Sequence, residues 1–299
     1  MRFLAILLFV SCLTAVFIGC TKDEVIENHI DTTITGNHPP NYSGVPDDKI
    51  IAYINKIYID LLGRAPTSSE LSDNLAYLDK SNLSDHSRDS MITALQSSYS
   101  YYSRLFSINS NEFLNGTDSV EIEYMILLLD YLYYVDSISG NMQNLIYYTY
   151  ENNRLYQLQE ITQDFMNGAI TMNQYFAAFI DNYFYDQVNM GSENFVKGSF
   201  DDLFRRAPTD DELANGVSMV DNGSSILFLQ PGDSKGDYVT IVTTTDEFYE
   251  GLVKKTYEQL LLRDPTSLEE GAYTSELKST GNFQQFEKEI MKTSEYAGF

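Results

Sequence analysis

The chain has no tryptophan, only three histidines, and 19 basic residues against 43 acidic ones. That imbalance, formally −24 at pH 7, repels nucleic acid and anionic lipid head groups, which excludes a nucleic-acid role. His29, His38 and His86 are scattered, and none stands at metal-ligand or catalytic-triad spacing. No metal, no cofactor and no histidine-based active site is therefore expected. The missing tryptophan removes a favoured platform for sugar rings, which lowers a glycan-binding reading. It does not remove it, because 23 tyrosines and 17 phenylalanines remain. Carboxylates are everywhere, so spacing cannot rank an Asp/Glu pair for hydrolysis. Acids beside Asn and Gly, as at Asp221-Asn222-Gly223, match no twelve-residue calcium loop. With no catalytic motif, a non-enzymatic role is expected.

The two cysteines sit near the amino terminus, at Cys12 and Cys20. Residues 1–20 read MRFLAILLFVSCLTAVFIGC. Arg2, the apolar run over residues 3–18 and the small Gly19 make a secretory signal. The closing Gly-Cys resembles the lipobox of bacterial lipoproteins, although Phe17 and Ile18 are bulkier than the residues usual there. The resemblance implies that residues 1–19 are removed and that Cys20 is lipidated. The following Lys22-Asp23-Glu24 resembles the export tag of Bacteroidota lipoproteins. It implies an outer-membrane anchor with the protein facing the cell exterior. Acyl chains partition at about 0.8 kcal/mol per buried methylene, so several of them hold a protein without a transmembrane helix. Loss of Arg2 moves the formal charge from −24 to −25. Cys12 would leave with the signal and Cys20 would carry lipid, so no thiol remains for a disulfide, a zinc site or a nucleophile. The remaining 280 residues (299 minus 19) suffice for a core without cross-links.

Residues 20–47 comprise the lipidated Cys20 and a Thr/Asn/Pro/Gly stalk with little apolar periodicity, read as a flexible tether. Beyond it one phrase recurs three times. INKIYIDLLGRAPTSSEL begins at Ile54, VKGSFDDLFRRAPTDDEL at Val196 and VKKTYEQLLLRDPTSLEE at Val253. The copies align without gaps on Pro66, Pro208 and Pro265. Twelve residues before each proline stands Ile54, Val196 or Val253, and eight before stands Tyr58, Phe200 or Tyr257. Leu61-Leu62, Leu203-Phe204 and Leu260-Leu261 complete a single helical stripe. Arg64, Arg206 and Arg263 are placed in the last helical turn, where a cation meets the carbonyl-rich end. Proline then stops the helix. Thr67 with Glu70, Thr209 with Glu212, and Thr266 with Glu269 read as capping boxes opening a second helix. An Arg–Glu pair across each corner accompanies this structural reading; a shared ligand spot is its functional rival. The second helices are expected to bury Leu71, Leu75 and Leu78, then Leu213, Val217 and Val220, then Ala272, Tyr273 and Leu277. Each module is expected to close with a helix ending in a Ser/Thr-acid-aromatic phrase. The second such helix should run straight into the third copy.

The phrase Tyr-x-x-Leu-Leu-Gly-Arg-x-Pro-Thr-x-x-Glu-Leu resembles two uncharacterised bacterial families. One is a repeated helical domain of secreted and surface proteins, and the other accompanies cytochrome-like modules in planctomycete proteins. It is distantly similar to the phycobilisome linker domain as well, which implies scaffolding by analogy of fold. Only the first copy keeps the glycine, Gly63; Arg205 and Leu262 replace it.

These readings give an all-α chain of repeated helical modules in one elongated or multi-lobed bundle. The modules span 48–110, 191–250 and 251–299, with a Tyr-rich helical segment at 111–190. A loop at 224–236, with a turn at Pro231-Gly232, is a candidate short β-hairpin. Residues 120–135 (VEIEYMILLLDYLYYV) are too short and too charged to cross a bilayer and read as a buried helix. Tyr131, Tyr133, Tyr134, Tyr147, Tyr148 and Tyr150 are read first as core rings. Their alternative is a docking face for an envelope protein or a glycan. The expected function is a non-enzymatic surface lipoprotein that binds or scaffolds envelope components. The alternative is an accessory glycan-binding lipoprotein of an outer-membrane uptake system.

Overall fold

The computed structural model describes residues 44–299; the signal, Cys20 and most of the tether lie outside the described residues. The first module opens with α1 (Asp47–Leu62), whose Ile50, Tyr53, Ile54, Ile57, Tyr58 and Leu61 form one buried stripe. The chain turns through the capping box of Thr67 into α2 (Ser68–Lys80), and α3 (Asp85–Gln96) follows. Ser98 caps α4 (Tyr99–Phe113). A long helical hairpin comes next: α5 (Ser119–Ser139), a 3-10 turn at Met142–Asn144, and α6 (Leu145–Met166). The short α7 (Met172–Ile180) and α8 (Tyr183–Val188) lead back towards the body.

The second module is α9 (Ser192–Phe204), α10 (Asp210–Val220), a two-stranded ribbon and α11 (Lys235–Val242). The third is α12 (Asp246–Leu261), α13 (Ser267–Thr280), α14 (Phe283–Met291) and α15 (Ser294–Ala297). The fold is all-α: among the described residues fifteen α-helices accompany one two-stranded sheet.

Several local expectations are corrected. The ribbon pairs β1 (Ser225–Leu227) with β2 (Gln230–Gly232), antiparallel, with Ile226 opposite Pro231. Its turn is Phe228-Leu229, both with positive φ, and Pro231-Gly232 lies in the second strand. Phe228 is held there by stacking on Phe200 and by an edge-to-face contact with Phe204, at 5.9 and 5.6 Å between centroids. The Ser/Thr-acid-aromatic phrases do not end the closing helices. They start the next ones: Ser98, Thr245 and Thr293 are N-caps of α4, α12 and α15. Each cap is followed three residues on by a buried ring, Tyr101, Phe248 or Tyr296. A break at residues 243–245 thus separates α11 from α12, and the 250/251 boundary falls inside α12. In the second helices Leu78 and Leu277 are buried, but Ala272 is exposed and Met219 fills the place that Leu213, Val217 and Val220 only border.

Helix α12 packs on both α9 and α13, so it closes one module and opens the next. Its crossing with α9 is close, because a Cβ added at Gly251 would lie 1.9 Å from the Leu203 carbonyl oxygen. In the first module the position equivalent to Gly251, six residues after the N-cap, holds Arg104, whose chain lies 2.9 Å from where a Cβ on Gly63 would be.

The first and third modules meet. Tyr53 donates to the Met291 carbonyl at 3.1 Å, Gln96 to the Gln284 carbonyl at 2.9 Å, and Tyr296 to Asp60 at 2.7 Å. At this seam Glu287 is buried and accepts from Tyr101 and Gln96. Burial pushes its carboxyl up to about 7, against the pull of those two donors.

Candidate functional site

The three corners are built alike. Each first helix ends on a residue in left-handed geometry: Gly63, Arg205 or Leu262, with φ of 68°, 58° and 56°. This is the conformation that glycine adopts without strain and that Arg205 and Leu262 adopt at a cost. The arginine comes one residue later, outside the helix, so the expected contact with the last helical carbonyls is replaced by a different one. Arg64 grips Glu70 at 2.8 and 2.7 Å, Arg206 grips Glu212 at 2.8 and 2.7 Å, and Arg263 grips Glu269 at 3.0 and 2.9 Å. The same glutamates accept from the amides of Thr67, Thr209 and Thr266 at 2.7 Å. The threonine hydroxyls accept from the glutamate amides at 3.3 Å. Arginine and threonine amide together hold all three carboxyls at about 2. Pro66, Pro208 and Pro265 sit between these partners and stop helical continuation.

Two parts of the corner escaped sequence reasoning. Each guanidinium lies over the ring six residues earlier: Tyr58, Phe200 and Tyr257, at 5.5, 5.1 and 5.1 Å. Arg206 and Arg263 also reach a second acid two residues after the next N-cap, Glu247 at 2.7 Å and Glu295 at 2.6 Å. The first module has Ser100 at that position. The acid in the second and third cap phrases was the available signal. In each corner the acid and the guanidinium engage one another, the pairing expected of a fold joint.

A second ionic cluster ties α6 to α7 and α8. Arg154 is buried and bonds Glu151 at 2.5 Å, Asp181 at 2.7 Å and Asp186 at 3.0 Å, with the Tyr150 ring 4.6 Å away. Burial opposes its charge, but the three acids more than restore it. Lys235 adds a further contact to Asp186.

The hairpin is where the predicted tyrosine face falls, and the core reading of those rings is corrected. Only Ile122, Ile126 and Leu129 of α5 are buried, against Leu155, Leu158 and Ile161 of α6. Tyr131, Tyr133, Tyr134, Tyr147 and Tyr150 are exposed, together with Val120, Tyr124, Leu127, Ile138, Met142 and Ile146. Tyr148 alone is half-buried and donates to Asp136 at 3.0 Å inside the hairpin. The six tyrosines therefore do not share one face. Tyr131 and Tyr134 lie on the outer side of α5, whereas Tyr150 sits on α6 beside Arg154. The buried-helix expectation failed because α5 carries apolar residues on both sides, and among the described residues only one side has a neighbour.

The cavities range from one small enclosed space to open surface grooves, the most open being about 610 Å³ beside Val188 and Pro208. One of about 20 Å³ is lined by Asp60, Tyr101, Arg104, Asn109, Lys255 and Glu287 among others, which is room for about one water. Burial draws the Lys255 ammonium below its usual range, opposed by Glu112. A shallow groove of about 310 Å³ runs between α4 and α6, walled by Tyr99, Phe106, Ser107, Asn111, Gln159 and Gln163. Among the described residues no group of His, Cys, Asp and Glu converges to hold a metal ion, and no helix is long and apolar enough to cross a membrane. No family model matches the chain, and no curated protein or solved structure is significantly similar to it.

Proposed function

We propose that the chain is a non-enzymatic lipoprotein, anchored through Cys20 to the outer membrane and facing outward, that binds or scaffolds other envelope proteins. The observation that carries this reading is the α5–α6 hairpin. Its tip exposes Met142, Ile146, Tyr147 and Tyr150 to solvent on an otherwise acidic molecule. Exposed apolar clusters rimmed by polar residues are typical of protein contact sites, and tyrosine is favoured in them. The Gly19-Cys20 sequence supplies the anchor, and the stalk after it supplies the reach.

The test joins three measurements. Mass spectrometry should find an acylated Cys20 as the first residue. Protease added to intact cells should remove the body from the surface. Affinity purification from native membranes should recover a companion that is lost with Ile146→Glu and Tyr150→Glu. An unacylated Cys20, or a companion indifferent to both substitutions, overturns the reading.

One observation favours a second reading. The α4–α6 groove combines aromatic walls with side-chain amides and hydroxyls, the groups that pair with sugar hydroxyls. An accessory glycan-binding role would appear as glycan-array binding that Asn111→Ala and Gln159→Ala abolish.

A further inference from the structure

On α5, Val120, Tyr124, Leu127, Tyr131, Tyr134 and Ile138 follow at steps of four, three, four, three and four. All six are between 60 and 69 % exposed. At about 100° per residue they fall within an arc of roughly 80°. That arc is centred opposite the face of Ile122, Ile126 and Leu129 that packs on α6. The stripe is as regular as a coiled-coil seam and runs nearly the whole helix, yet no described element covers it. Alternating steps of three and four fit knobs into the holes of another α-helix. They do not suit a lipid surface, since the flanks carry Glu121, Glu123 and Asp130 and no base.

The stripe is also self-complementary. Read against itself in the opposite direction, about the level of Leu129, it pairs Val120 with Ile138, Tyr124 with Tyr134, and Leu127 with Tyr131. Aliphatic ends meet aliphatic ends, Tyr124 meets Tyr134, and Leu127 packs on the Tyr131 ring. The flanks then place Glu123 opposite Ser137 and Glu121 opposite Val135. Asp130 alone meets its own counterpart, and its carboxylate already accepts from Asn152 at 2.6 Å and Tyr156 at 3.3 Å. Complete burial of the six side chains would remove roughly 850 Å² per copy, so about 1,700 Å² is the upper bound for a two-fold pair, and even a fraction of it reaches the lower range of specific interfaces. Antiparallel pairing sets the helix dipoles head to tail and keeps the two acidic bodies at opposite ends.

We propose that the outer face of α5 is a dimer seam that takes the α5 of a second copy of this chain, antiparallel, about a two-fold axis near Leu129. The inference goes beyond the binding role above and does not depend on the anchor. A monomer would leave that role standing, while an unacylated Cys20 would remove the role and leave the seam.

The experiment uses the full chain extracted from membranes into a large excess of detergent micelles. Light scattering should report the mass of two chains. Leu127→Glu and Tyr131→Glu, both exposed, should weaken association at least tenfold while leaving the circular-dichroism melt unchanged at dilutions where the parent too is monomeric. Added salt should tighten the pair by screening two bodies of like charge. Variants Val120→Cys and Ile138→Cys should cross-link only when mixed. A monomer at about 100 µM, a dimer indifferent to both substitutions, a dimer loosened by salt, or Val120→Cys cross-linking to itself overturns the proposal.

Discussion

Arg206 holds Glu212 with both terminal nitrogens, Nη1 to Oε2 at 2.8 Å and Nη2 to Oε1 at 2.7 Å, while its Nε reaches Glu247 at 2.7 Å. One side chain thereby joins the corner of the second module to the start of α12. Arg206→Ala should destabilise the body by about 1 kcal/mol, a value already reduced for solvent screening of a partly exposed pair. Arg64→Ala should cost less, because Ser100 stands where the second acid would be. Thermal melts of the two variants compare them directly. Glu212 and Glu269 are held at about 2, below the 4.5 ordinary for a glutamate. Their contribution is therefore complete above pH 4.5 and is lost as pH falls towards 2.

Arg154 offers a harsher test. Its removal strands Glu151, which is almost as buried as the arginine itself. Arg154→Met should cost about 3–5 kcal/mol, the penalty of an uncompensated buried charge. Urea unfolding should show this as a lowered midpoint. A loss under 1 kcal/mol would mean that water reaches the cluster once the arginine is gone.

Glu287 works in the opposite pH sense. Its folded pKa is raised to about 7 from 4.5. It favours folding most below pH 4.5, and that benefit disappears as pH rises through 7. Glu287→Gln keeps an acceptor for Tyr101 without the buried charge. The variant should be more stable than the parent by roughly 1–3 kcal/mol at pH 8 and should show little difference at pH 4. Melting temperatures across pH 4–8 read the crossover.

Leu229 sits at the ribbon turn with φ 61° and is 95 % exposed. Two-residue hairpin turns of this geometry favour glycine, since a left-handed backbone costs a branched residue about 1–2 kcal/mol. Leu229→Gly should raise stability by about 0.5–1 kcal/mol after the entropy of the unfolded glycine is counted. Leu262→Gly, at a corner with φ 56°, should do the same. Denaturant midpoints should rise with unchanged slope.

Much of this architecture was legible in the chain. Prolines, capping threonines and the Tyr58-type stripe are local signals, and they located all three corners and the all-α class. The failures have physical causes. The turn at Phe228-Leu229 carries none of the residues that mark turns, because ring contacts of Phe228 with Phe200 and Phe204 hold it instead. The Arg154 cluster joins residues 27 and 32 positions apart in sequence, beyond any local pattern. Helix α5 misled because burial was inferred from apolar content, whereas its residues divide between two opposite faces and only one is covered. The candidate site was thus visible as composition, but its orientation was not.

The corner of the first module pairs a small residue at the left-handed position with a large one on the crossing helix, Gly63 with Arg104. The second module reverses the sizes, Arg205 with Gly251, and there the crossing leaves no space for even a methyl group. Gly251→Ala should therefore force α9 and α12 apart. Transplanting one partner without the other would collide in one module and hollow out the other, so the copies have drifted past interchangeability. Domain shuffling between them would succeed only if both sides of the joint travelled together.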